Sequence, residues 1–237
     1  RGITKPEDLR GKLVGLPEYQ MTAPVWMRGI LEDEYGIKPE EIHWRSGGQE
    51  EAGRDERTPF EAPAGLDLQA IPQDRTLVEM FEAGELDALM TARAPSSFNL
   101  GKPNIDRLWP NFREVEKEYY RKTKMFPIMH LMGLRKDMHE AYPWLAGSLY
   151  KALLQSRDIA YEDLAKTAAL SVALPWVDAE RRDTIELMGN DFWRYGVEEC
   201  RHEIEALARY SHSHGLSERL LTPEDLFAPS TFDISKI

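Results

Sequence analysis

The chain has 237 residues, 42% of them apolar, and a formal net charge of -11. That is enough apolar material for one large domain or two small lobes. No apolar run nears the ~18 residues that cross a bilayer, and no charged-then-apolar leader follows Arg1, so a soluble protein with no membrane partner is expected. The acidic balance, unbroken by any Lys/Arg stripe, repels phosphate backbones and argues against a nucleic-acid partner, and an anionic ligand would need a local cluster of positive groups.

Thr4-Lys5-Pro6-Glu7 has capping-box spacing with proline in the first turn, which predicts a short helix stopping at Gly11. Lys12 to Leu16 is short, mostly apolar and bounded by turn residues, as a buried parallel strand should be. Thr22 reads as the cap of a helix running to Tyr35 and closed by Gly36, with Trp26, Ile30 and Leu31 inward. Further strands are predicted at Ile42–Arg45, Leu68–Ile71 and Leu86–Met90, the last two separated by a helix carrying Leu77, Met80 and Phe81. This alternation means a mostly parallel α/β lobe. Between Ser46 and Gly65 lies a stretch rich in Gly, Glu, Arg and Pro without periodicity, a length of loop that is usually functional or disordered.

From Ile105 the character changes. A strand is predicted at Ile105–Trp109, a charged helix near Phe112–Thr123, another strand at Ile128–Leu134, and then helices. Leu149, Leu153, Ala160 and Leu164 mark one helix, and Asp178 reads as the cap of the next, with Gly189 as its stop. Val197, Cys200, Ile204 and Leu207 form the apolar stripe of a third, ended by Gly215, which makes Cys200 a small core residue rather than a nucleophile. A single cysteine excludes an intrachain disulfide and a thiolate metal cage, and leaves the redox compartment open. These helices have apolar faces but few strands to cover. An α/β lobe supplies its sheet before or between such helices, so a segment preceding Arg1 is expected to belong to the intact protein; a helix bundle or a covering partner chain is the alternative.

Several motifs together resemble the 4,5-dihydroxyphthalate decarboxylase family along nearly the whole chain. They are Pro6-Glu7-Asp8-Leu9-Arg10-Gly11-Lys12, Pro17-Glu18-Tyr19-Gln20-Met21-Thr22-Ala23, Ile42-His43-Trp44 with Gly47-Gly48-Gln49-Glu50 and Gly53-Arg54, and Gly84-Glu85-Leu86-Asp87-Ala88-Leu89. Tyr119-Tyr120-Arg121, Phe126-Pro127-Ile128-Met129-His130, Leu174-Pro175-Trp176, Leu187-Met188-Gly189-Asn190-Asp191 and Tyr195-Gly196 continue the set. The segments at 8–12 and 84–88 are similar to type II solute-binding proteins in general and speak to fold alone. Those at 17–23 and 126–130 resemble the decarboxylases specifically. The resemblance implies a two-lobed type II periplasmic-binding-protein-like α/β fold. Its second lobe spans 9–94, a hinge or crossover 95–104, and a return to the first lobe 105–237, with the opening part of the first lobe before Arg1.

The implied reaction converts 4,5-dihydroxyphthalate to protocatechuate and CO2. One hydroxyl lies para to each carboxylate, so deprotonating it makes the carboxylate-bearing carbon electron-rich enough to take a proton before CO2 departs. The site then needs a general acid at the ring carbon, a base or acceptor at the hydroxyl, and donors for the remaining carboxylate. His130 is the first candidate for acid/base, because histidine titrates near neutral pH, although its apolar neighbours fit a core histidine equally. His43, before Trp44 at a strand end, is the reserve. The turn Tyr19-Gln20-Met21-Thr22 precedes a helix, so its amides and the Thr22 hydroxyl can hold a carboxylate at the positive helix end, or Thr22 can simply cap. Arg54 and Arg93 offer bidentate contacts, or are solvated surface residues. Trp176, in a break between helices, leads Trp26 and Trp44 as a stacking platform for the ring, the alternative being core.

His212 and His214 sit two residues apart on different faces of a helix, which argues against a shared metal. No zincin, phosphate-loop or nucleophile-elbow motif occurs. No cofactor is expected, with room left for a divalent metal assembled from distant residues. The expected partner is a small aromatic acid and the expected assembly a homo-oligomer in the cytoplasm. The rival reading is a transporter-type solute-binding protein for an aromatic or other organic acid, which would place the chain in the periplasm.

Overall fold

The computed structural model describes residues 2–58 and 60–232. They fall into two compact units, one within residues 2–116 with 206–221 and the other of 117–205 with 222–232. The first unit is built on four parallel strands, β1 (Leu13–Leu16), β2 (His43–Ser46), β3 (Leu68–Ala70) and β4 (Ala88–Leu89), in the order β3-β2-β1-β4. The chain is therefore α/β with a parallel sheet, as its alternating pattern predicts.

Side chains alternate across a strand, and the two faces are sorted accordingly. Val14, Leu16 and Trp44 join Tyr19, Leu31, Ile37, Ile42 and Met90 in one core cluster under α1 (Thr22–Tyr35). Leu13 and Leu89 point the other way and pack with Ile71, Leu77, Leu86, Met80 and Phe81 around α2 (Leu77–Glu82). Trp26 and Trp44 are fully buried, so the structure makes them core rather than platforms for a ring. Each such ring hides about 150–250 Å², which at about 25 cal/mol per Å² stabilises by at most roughly 4–6 kcal/mol.

The α8 helix (Arg201–Ser213) meets α1 through Tyr210, whose ring lies edge-on to Trp26 at 5.7 Å. A side chain at Gly29 would put its Cβ 2.4 Å from the Tyr210 ring, so glycine is what lets that ring lie against the helix. The Tyr210 hydroxyl donates to Asp33 at 2.6 Å, and Arg209 pairs with the same carboxylate at 3.0 and 2.6 Å.

The second unit is helical among its described residues. It contains α5 (Lys136–Ala141), α6 (Leu145–Ala165), α7 (Val177–Met188), α9 (Pro223–Leu226) and parts of α4 (Phe112–Thr123) and α8, while the short α3 (Ser96–Asn99) belongs to the first unit. The strands expected at Ile105–Trp109 and Ile128–Leu134 do not form; both segments run as irregular backbone. Among the described residues neither segment joins the sheet, which is made of β1 to β4 alone. Val197, Cys200 and Ile204 pack with Ile128, Phe227 and Phe232, and burial pushes the Cys200 thiol up to about 11, as suits a core residue. Trp176 rather than Asp178 stands at the N-cap of α7, which Gly189 ends as expected.

Candidate carboxylate site at the carboxyl edge of the sheet

In the order β3-β2-β1-β4 the direction of winding reverses between β1 and β4. Open α/β sheets bind ligands in the crevice outside the carboxyl ends of strands at such a reversal. Of the four segments that leave this edge, those of the three adjacent strands around the reversal are 17–21 after β1, 47–50 after β2 and 90–93 after β4.

Their side chains lock the edge together. Thr91 Oγ1 donates to Gln49 Oε1 at 2.5 Å, and Gln49 Nε2 donates to the Arg93 carbonyl at 3.1 Å. The Gly48 and Gln49 carbonyls accept from Leu77 and Val78 at the start of α2. Glu50 takes the Ser96 amide and hydroxyl, each at 2.8 Å. A Cβ at Gly48 would fall 1.7 Å from the Glu51 carbonyl oxygen, so only glycine admits this bend.

In front of α1 lies an open depression of about 350 Å³ lined by Glu18, Gln20, Met21, Thr22, Arg57 and Thr58. The helix end it faces carries no cap. Met21, not Thr22, occupies the N-cap position and no side chain bonds the first turn, which corrects the capping role expected of Thr22. Val25 is the first amide of the helix to bond back, to the Met21 carbonyl at 3.1 Å, and Pro24 has no amide at all. The Thr22 and Ala23 amides are thus left without intrahelical partners at the positive end of the helix dipole. Arg57 stands over the same depression with Nε 3.3 Å from Glu18 Oε1.

The turn leading into the helix is otherwise committed. Gln20 Nε2 donates to the Thr58 carbonyl at 2.8 Å, and the Tyr19 amide donates to Glu56 Oε1 at 2.5 Å. Tyr19 is buried, with its ring stacked on Phe60, and its hydroxyl closes no hydrogen bond. Of the four residues expected to hold a carboxylate from this turn and its loop, Gln20 and Thr22 line the depression. Tyr19 is core beneath it, and Arg54 is exposed on the long segment that also supplies Glu56 and Arg57. Arg93 is exposed just past β4 at the same edge of the sheet. His43 opens β2, at the opposite, amino edge, where Nδ1 lies 2.7 Å from Asp67 Oδ2.

A 4,5-dihydroxyphthalate decarboxylase of Comamonas testosteroni is 41% identical to this chain over 237 residues, covering 100% of the chain and 72% of that protein. The chain belongs to the 4,5-dihydroxyphthalate decarboxylase family. A second protein of that name, from Pseudomonas putida, is 41% identical over 121 residues, 51% of this chain and 47% of its own length. No family model matches.

Two other candidates of this decarboxylase-family chain lie in the second unit. His130 is exposed in the irregular segment between α4 and α5, and Trp176 is 73% exposed at the start of α7. Sequence reading missed three residues that the structure brings to the turn. Arg57 and Glu56 lie in a segment without periodicity, where nothing distinguishes one charge from another. Arg28 sits on the apolar face of α1, fully buried, and that violation of the helix pattern was the available signal. Burial pushes the Glu56 carboxyl up, against the pull of the Tyr19 and Gln20 amides. Burial likewise lowers Arg28 to about 10, against the pull of Tyr19 and Glu56. Among the described residues, no group of three or more His, Cys, Asp or Glu side chains could hold a metal ion, and no helix is long and apolar enough to cross a membrane.

Proposed function

We propose that this chain decarboxylates 4,5-dihydroxyphthalate to protocatechuate and CO2, and that the depression before α1 holds the carboxylate that stays on the ring. The supporting observation is the 41% identity to a decarboxylase of that name across all 237 residues. An uncapped helix end beside a guanidinium is the donor set that such a carboxylate needs. The Thr22 hydroxyl, the Thr22 and Ala23 amides and Arg57 supply it, with Arg93 and Arg54 as further cations on the carboxyl-edge segments. In the reaction the bond between ring carbon and carboxylate breaks, its electron pair stays on the ring carbon, and a proton takes the place of the departing CO2. His130 is the proposed donor of that proton, on residue type and on its place in the decarboxylase-like segment 126–130.

The finer architecture proposed is the two-lobed type II periplasmic-binding-protein-like fold. The exposed apolar side chains of the second unit, Ile159 at 60% and Leu131 at 62% among them, are the faces that strands preceding Arg1 would cover in that fold. A cytoplasmic homo-oligomer is proposed with it.

The test is incubation of the full-length, metal-stripped protein with 4,5-dihydroxyphthalate, following protocatechuate by chromatography and binding by calorimetry. Product formation is expected. Tight binding without product, even after divalent metals are restored, would turn the reading to a solute receptor, and neither binding nor product would remove the substrate assignment.

A further inference from the structure

Both backbone polar groups of Tyr19 are held, which fixes the two peptide planes on either side of its Cα. Its amide donates to Glu56 Oε1 at 2.5 Å, and its carbonyl accepts from Arg28 Nη2 at 2.9 Å. The Arg28 guanidinium also lies 3.6 Å from the centroid of the Tyr19 ring, on which Phe60 stacks at 5.3 Å. Glu56 and Phe60 come from the long segment between β2 and β3, Arg28 from α1, so two separate elements converge on one residue of the turn.

Arg28 is only 1% exposed, yet its Nε and Nη1 have no hydrogen-bond partner, and neither does the buried Glu56 Oε2. A buried cation without a closed ion pair destabilises a fold compared with an apolar side chain of the same volume. The stability of the core therefore does not account for an arginine here. What the arginine does is fix a peptide plane, and the peptide it fixes is the one that leads into the uncapped end of α1. Glu56 holds the preceding peptide from outside, and by occupying the Tyr19 amide it leaves the Thr22 and Ala23 amides as the ones that meet a ligand.

We propose that Arg28 and Glu56 are positioning residues of the carboxylate site: between them they set the two peptides that flank Tyr19 so that Thr22 and the first amides of α1 present to the depression. The inference rests on the reading of that depression as the substrate carboxylate site, and it gives the long β2–β3 segment a function, that of a brace for the turn.

The experiment compares Glu56→Ala, Glu56→Gln and Arg28→Lys with the full-length wild type by steady-state kinetics on 4,5-dihydroxyphthalate and by amide hydrogen exchange of the peptide covering residues 18–23. Glu56 is on a surface segment, so its variants are expected to fold even if an Arg28 variant does not. Glu56→Ala should raise KM roughly 10-fold, as for loss of a charge-assisted hydrogen bond, with kcat within about 2-fold. It should also speed exchange at residues 18–23 by about 10-fold. Glu56→Gln keeps an acceptor and should restore both to within about 3-fold. Arg28→Lys keeps the charge but loses the planar fork, and should behave like Glu56→Ala. Unchanged exchange in Glu56→Ala, a loss of kcat at constant KM, or a glutamine as damaging as alanine would each overturn the proposal. A wild type that turns over no substrate would count against the function assigned to the depression and not against the brace, which the exchange measurement reads without any ligand.

Discussion

Arg57 and Glu18 face each other at the mouth of the depression, with Nε 3.3 Å from Oε1, the guanidinium largely exposed and the carboxylate largely covered. An exposed pair of this kind contributes little to stability. It does hold a cation in place for an anionic ligand while supplying a competitor for it. Arg57→Ala is therefore expected to raise KM for 4,5-dihydroxyphthalate roughly 10- to 100-fold, the range for a lost hydrogen bond to a charged group. Glu18→Gln, which frees the guanidinium, should lower KM. Steady-state kinetics at two ionic strengths checks both, since an exposed cation is screened by salt. A KM unmoved by Arg57→Ala would remove Arg57 from the site.

Met21 leaves the end of α1 without a side-chain cap, and Pro24 offers no amide for one to reach at the third helical position. An aspartate at position 21 would bond the Ala23 amide and complement the helix dipole. Met21→Asp should thus stabilise the protein by about 0.5–1 kcal/mol while putting the chain's own carboxylate where the ligand's belongs. A raised melting temperature together with weakened substrate binding is the expected outcome. A raised melting temperature with unchanged affinity would show that the ligand does not use this helix end.

Tyr19 tests the difference between turn and side chain. Its hydroxyl is buried and closes no hydrogen bond, so Tyr19→Phe removes a desolvated polar group and keeps the ring that Arg28 and Phe60 contact. Stability is expected to stay within about 1 kcal/mol of wild type or to rise, with KM and kcat unchanged. A large loss of activity would mean that the hydroxyl reaches the substrate after all.

His130 is exposed and outside any helix or strand, so its replacement should move stability by no more than about 0.5 kcal/mol. As the proposed proton donor it should be needed for turnover and not for binding. His130→Asn is expected to cut kcat by about 100-fold or more while calorimetry shows substrate affinity preserved. Retained turnover would assign the proton to another group.

The parallel lobe was legible because its signals are local. Leu13–Leu16 is a short apolar run between turn residues, His43–Ser46 lies between Pro39 and the Gly47-Gly48 pair, and Gly36 marks the end of α1, so the observed bounds fall within a residue or two of the expected ones. The region after Ile105 was less legible because apolar runs such as Ile128–Leu134 fit a strand only if a sheet receives them. In the site, Gln20 and Thr22 were readable from their place before a helix, and Thr22 was misassigned by one position because threonine is the usual cap and methionine is not. Arg28 was marked only by its place on the apolar face of α1, and Glu56 and Arg57 were not readable: their roles depend on which backbone groups a long aperiodic segment comes to rest against, and no spacing rule carries that information.

His214 supplies a prediction about acid. It is buried in the turn just past α8, its ring parallel to that of Tyr210 at 6.0 Å. Glu32 Oε2 lies 3.5 Å from Nε2 but closes no hydrogen bond with it. Burial, then the charges of Arg28 and of Arg209, push the imidazole down to about 3 against the opposing pull of Asp33. Below its ordinary value of 6.5 the unfolded chain takes up a proton that the folded chain refuses until about pH 3. The unfolded state binds more protons throughout that window, so stability falls as pH falls across it, with a slope approaching about 1.4 kcal/mol per pH unit from this group. Asp33 and other paired carboxylates add their own acid losses at the low end, and the contribution of His214 is isolated as the difference between wild type and His214→Gln. Urea unfolding at pH 7, 6, 5 and 4 should show the variant losing less stability per pH unit than the wild type, whatever its stability at pH 7. Parallel curves would mean that His214 protonates in the folded protein near its ordinary pH, and that the ion pair with Glu32 outweighs its burial.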